Sequence, residues 1–96
     1  MLRDEILETL RAHMTEIRAF GVSRLALFGS LARGEGRSDS DADILVEFEQ
    51  PVGFFAFARL QRYLEGLIGR SVDLVTPGAI RPEMRDAILS EALYAA

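Results

Sequence analysis

The chain has 96 residues, a formal net charge of −4 and no cysteine. That length fits a single small domain, 1–96, burying roughly 60–70% of its unfolded surface, and 49% apolar residues support a packed core against disorder. Disulfide frameworks, thiolate zinc sites and cysteine nucleophiles are excluded. The acidic balance argues against nucleic acid as the main ligand, and no apolar run approaches the roughly 18 residues that span a bilayer.

The N-terminus, Met1-Leu-Arg-Asp-Glu-Ile-Leu-Glu, is charged and helical in pattern rather than a signal peptide, so a cytoplasmic protein is expected. All basic residues are arginine, which decides nothing about function. Leu2, Ile6, Leu10, Met14 and Ile17 recur at helical spacing and predict one helix over 2–20, ended by Gly21 in a left-handed cap. His13, the single histidine, lies beside that stripe, where a packed or half-exposed role outweighs a catalytic one.

Val22 to Phe28 reads as a central strand covered on both sides, because its second half is apolar on both alternating faces. Leu31 to Arg33 predicts a turn or two of helix stopped by Gly34. Glu35 to Ser40 is a polar loop by composition. Ala42 to Phe48 is the second strand, with Ile44, Val46 and Phe48 on one face and Asp41, Asp43, Leu45 and Glu47 on the other.

Pro51 ends that strand. A helix follows to about Leu67, with Phe57, Leu60, Leu64 and Leu67 as its inner stripe. Phe54 and Phe55 exceed that stripe, and they fit either a wide core face or an exposed patch for a partner. Gly69 ends the helix, 70–76 predicts a third strand, and Pro77-Gly78 turns into a final helix over about 82–94. Met84, Ile88 and Ala92 are expected to face inward. The expected fold is therefore α/β (α+β), a small mixed sheet flanked by helices in the order α-β-α-β-α-β-α.

Two features carry chemistry. Gly29 follows the first strand, where the absence of a Cβ permits a sharp turn close to a ligand. Ser30 is placed to cap the next helix, whose positive end suits anionic oxygens. Ten residues intervene between Ser30 and Asp41, which shares one face of a strand with Asp43. Such carboxylates repel unless a cation lies between them, and hard oxygen ligands suit Mg²⁺. Asp73 stands in an apolar strand, where a charge must be paired, metal-bound or at an exposed end. If the third strand lies beside the second, Asp73 joins the pair as a third ligand. Arg33 and Arg37 can make the site locally positive for nucleotide.

Phe28-Gly-Ser-Leu-Ala-Arg-Gly34 with Ser40-Asp-Ala-Asp-Ile-Leu-Val46 resembles the motif of the DNA polymerase β nucleotidyltransferase superfamily, in its minimal nucleotidyltransferase (MNT) branch. Leu64-Glu-x-Leu-x-Gly-Arg-x-Val-Asp-Leu-Val75 and Ile88-Leu-Ser-Glu-Ala92 extend the likeness over nearly the whole chain. The resemblance implies ATP as substrate with Mg²⁺, two ions being expected. It also implies an antitoxin that transfers AMP to a tyrosine of a HEPN-domain ribonuclease toxin. On this pattern Gly29 and Ser30 hold the triphosphate, joined by Arg33. Asp41, Asp43 and Asp73 hold metal, with Asp73 also the base for the acceptor hydroxyl. Ala42 departs from the larger aliphatic residue usual between the two aspartates. No acceptor-binding domain accompanies the catalytic core, so the acceptor site is expected from a partner or a second copy. Two alternatives are an antitoxin that neutralises by contact alone and a transferase for a small molecule such as an antibiotic.

Overall fold

The computed structural model describes residues 2–37 and 39–96, so Ser38 of the predicted loop lies outside the described residues. The chain begins with α1 (Arg3–Ala12) and α2 (Met14–Arg18). Next come β1 (Val22–Phe28), α3 (Gly29–Ala32), β2 (Ala42–Phe48) and α4 (Phe54–Ile68). β3 (Val72–Val75), a 3-10 turn (Pro77–Ala79), α5 (Pro82–Glu91) and β4 (Leu93–Tyr94) complete it. The sheet runs β3-β2-β1-β4, with β2 and β3 parallel and the other pairs antiparallel. Among the described residues no helix is long and apolar enough to cross a membrane.

The first helix is interrupted where one continuous helix was expected. His13 Nδ1 donates to the Thr9 carbonyl at 2.9 Å, while the His13 backbone N–H turns to Leu10 O at 3.1 Å. The ring thus takes the acceptor that the next α-helical amide would use, and the chain bends there. The helical stripe still works: Ile6, Leu10, Met14 and Ile17 are buried, although Leu2 is 56% exposed.

The sheet has a thick and a thin side. On the thick side Leu25 and Leu27 of β1, Ile44 and Val46 of β2, and Val72 and Leu74 of β3 pack with α1, α2 and α4. α4 contributes Leu60, Leu64 and Ile68 as its buried residues, and the predicted stripe members Phe57 and Leu67 pack at the margin. Gly69 closes this helix in the left-handed region at φ 70°. The thin side is a small cluster of Ala26, Leu45 and Ile80, edged by Ile88, Ala92 and Tyr94. Strand alternation therefore sends Asp43 and Asp73 to the thin side, where little apolar material covers them.

Three further expectations are corrected. α5 ends at Glu91, and the chain then extends as β4, pairing Leu93 with Leu27 and Tyr94 with Ala26. The otherwise open edge of β1 draws these residues out of the helix, and Ala95 N–H adds a bond to Leu25 O at 2.8 Å. Met84 is 50% exposed rather than inward, while Ile88 and Ala92 do face the thin side. The third strand is shorter than 70–76. Arg70 leaves it to donate from Nη1 to the carbonyls of Arg37 and Ser40, both at 3.0 Å. Phe54 and Phe55 are each 76% exposed and meet edge to face, with centroids 5.7 Å apart. The core reading is therefore set aside for both rings.

Candidate active site

Gly29 is the hinge of the site. It ends β1 with φ at 76°, a conformation that disfavours any side chain. A Cβ there would also overlap the carboxylate of Asp43, whose Cγ would stand only 3.0 Å away. The glycine thus serves both the turn and the close approach of strand β2.

Ser30 departs from expectation. It is the second residue of α3 rather than its cap; the cap position is Phe28, and no side chain caps this helix. The hydroxyl is half-buried and makes no hydrogen bond to another described residue, while the Ser30 carbonyl accepts from Glu35 N–H at 2.9 Å. Ser30 follows directly on Gly29, which lies against Asp43.

The acids come together through strand register. Asp43 lies opposite Phe28 on one neighbour and opposite Asp73 on the other. Asp41 stands just before the strand, exposed. Partial burial pushes the Asp43 carboxyl above its ordinary pKa, and the negative charges of Asp73 and Asp41 push it further. Arg33 opposes that rise and Glu91 adds to it. The three carboxylates share one field, although among the described residues no group of three already closes on a common point as a formed metal site.

Arg33 follows α3 and turns back over the loop. Its Nη1 donates to Glu91 Oε2 at 2.9 Å and its Nε to Glu35 Oε1 at 3.1 Å. The second carboxylate oxygen of Glu91 accepts the Gly29 N–H at 3.1 Å. These bonds hold the Glu91 pKa below the usual carboxylate value and raise that of Arg33. The sequence does not mark Glu91 as a site residue, although Ile88-Leu-Ser-Glu-Ala92 belongs to the family likeness. Its partner is 62 residues away, and nothing local marks where a helix end will land. Arg37, also considered for the site, lies in the loop, where its N–H donates to Ser40 Oγ at 2.8 Å.

The donor chemistry fits a divalent cation. Carboxylate oxygens are hard donors; burial first, then neighbouring negative charge, pushes the Asp43 carboxyl toward protonation, and a positive ion there would favour its ionised form. A glycine turn followed by a half-buried serine hydroxyl thus stands at the end of the strand that pairs with Asp43, and Asp43 in turn stands across from Asp73.

The comparisons agree. A family model described as a nucleotidyltransferase domain matches residues 6–95. The protein adenylyltransferase MntA of Thermococcus cleftensis is 42% identical over 92 residues, covering 95% of this chain and 93% of that protein. A solved structure described as a minimal nucleotidyltransferase superposes with a TM-score of 0.73 at 44% identity, over 91% of this chain and 93% of that one. A complex of a tri-AMPylated HEPN toxin with an MNT antitoxin from Shewanella oneidensis shares the fold, with a TM-score of 0.67 at 17% identity, covering 94% of this chain and 71% of that one. The chain belongs to the nucleotidyltransferase domain family, in its minimal branch, and is a nucleotidyltransferase.

Proposed function

We propose that this protein transfers AMP from ATP to a tyrosine hydroxyl of a HEPN-type toxin and acts as that toxin's antitoxin. The observation that carries the reading is the register of Asp43 with Asp73 beside the Gly29 turn. Similarity to a protein adenylyltransferase supports AMP as the transferred group and a protein as the acceptor. The fold shared with an antitoxin bound to its HEPN toxin supports the class of partner.

Each residue has a task in this reaction. Asp41 and Asp43, with Asp73, would hold Mg²⁺, two ions being the expected number. Bound there, the metal supplies positive charge to the phosphate oxygens and the departing pyrophosphate. The Ser30 hydroxyl and the Arg33 guanidinium face the β- and γ-phosphates, donating to their oxygens. Gly29 admits the phosphates without steric interference. Asp73, exposed on the edge strand, accepts the proton of the tyrosine hydroxyl. The phenolic oxygen bonds to the α-phosphorus as the bond from that phosphorus to the bridging oxygen breaks, releasing pyrophosphate. Most of the rate gain is orientation and charge stabilisation.

The exposed Phe54–Phe55 pair supplies an apolar surface at one end of α4 for the same partner. The test mixes the protein with the HEPN-type partner and ATP-Mg²⁺ and weighs the partner by intact-mass spectrometry. The partner gains one or more AMP units with wild type and none with Asp41→Asn/Asp43→Asn. Equal inhibition of the partner by both proteins, with no mass change, would make neutralisation a matter of contact alone and refute the transfer.

A further inference from the structure

The carboxylate of Glu91 reaches both ends of α3. Its Oε1 accepts the N–H of Gly29, the residue that opens the helix. Its Oε2 accepts from Arg33, the residue that follows the helix. One acid thereby spans the nucleotide loop. The bond to Arg33 lies near the surface, the Glu91 side chain being 23% and that of Arg33 45% exposed, and hydrogen bonds to an ionised group are stronger than neutral ones. β4 starts two residues later and is fixed to β1, which sets the direction from which Glu91 arrives.

We propose that Glu91 is a positioning residue for the nucleotide, holding the Gly29 turn and the Arg33 guanidinium in the arrangement that receives the triphosphate. This rests on the nucleotide reading given above. Without the carboxylate, the turn and the arginine become free to wander, and ATP must order both as it binds. The charge of Arg33 also acts on Asp43, so the same bond keeps a cation beside the acids. A carboxylate at this place could instead compete with phosphate for Arg33, and that role has the opposite sign in a binding measurement.

The experiment titrates a non-hydrolysable ATP analogue with Mg²⁺ into wild type, Glu91→Gln, Glu91→Ala, Arg33→Gln and Glu91→Ala/Arg33→Gln, following heat. Melting curves check the fold of each. Loss of a charge-assisted pair predicts about tenfold weaker binding for Glu91→Ala than for wild type. Glu91→Gln keeps an oxygen for the Gly29 N–H and recovers part of that loss. With Arg33→Gln already present, removing Glu91 costs less, because its charged partner has gone. Tighter binding by Glu91→Gln or Glu91→Ala overturns the proposal in favour of competition with phosphate. Unchanged affinity overturns it too and leaves Glu91 as a fastening of the fold. If Glu91→Ala does not fold, Glu91→Gln against wild type decides by the same outcomes. Absence of binding by wild type overturns the nucleotide reading and this inference together, whereas wild-type binding with unaltered variants overturns this inference alone.

Discussion

Asp73 stands directly across from Asp43 in the parallel pairing of β3 with β2, and among the described residues neither carboxylate forms an ion pair with an arginine. The fold therefore keeps two like charges as neighbours on a sheet. Because folding raises the Asp43 pKa, the folded protein holds that proton more tightly than the unfolded chain. Stability linked to Asp43 is full below the ordinary carboxylate value, about 4, and is lost as pH rises through the raised folded value. Metal-free Asp43→Asn is expected to melt at or above the wild-type temperature at neutral pH. The difference narrows as pH falls toward the ordinary carboxylate range. Added Mg²⁺ should raise the wild-type melting temperature and leave the variant unmoved, which calorimetry at several pH values will check.

Gly29→Ala is expected to cost stability and to damage the site together. The left-handed backbone alone costs about 1–2 kcal/mol for a residue with a Cβ. The new methyl must also displace the Asp43 carboxylate. Denaturant unfolding should show a loss of at least that size, and ATP-Mg²⁺ affinity should fall in the same variant.

Phe54→Ala/Phe55→Ala should separate stability from assembly. Both rings are largely in solvent, so the melting temperature should hardly change, in contrast to the roughly 3–5 kcal/mol lost when a buried Phe is truncated. Affinity for the HEPN-type partner should weaken by more than about 1 kcal/mol if the pair anchors the interface. A pull-down or titration with that partner decides it.

His13→Ala tests whether the lone histidine is structural. Its ring bond to Thr9 O is worth about 1 kcal/mol or less. A loss of that order with unchanged AMP transfer is expected, and a large fall in activity at constant stability would contradict it.

Much of this was legible in the residues. The strands 22–28 and 42–48 have the predicted bounds, because Gly29 and Pro51 stop them and their apolar runs are short. The approach of Asp73 to Asp43 was conditional on the third strand lying beside the second, and that condition is met. What escaped was non-local. β4 contains no breaker or turn signal before it and exists because β1 offers unpaired backbone groups. The break at His13 depends on one ring finding a carbonyl, which periodicity does not report. Ser30 was expected as a cap, but the left-handed Gly29 starts the helix two residues earlier. Glu91 lies on a helix with no fully buried residue, so no apolar pattern fixed the direction of its side chain.

The outer strand β3 is finished by side chains rather than by another strand. Gln61 of α4 donates to Val72 O at 2.8 Å, and Glu65 accepts the Val72 N–H at 3.0 Å. β4 at the opposite border is only two residues long. Both margins of the sheet thus offer little unpaired backbone to a passing strand, and this blunts the usual route to edge-to-edge aggregation. A concentrated solution of this protein should resist fibre formation, with association left to its side-chain surfaces.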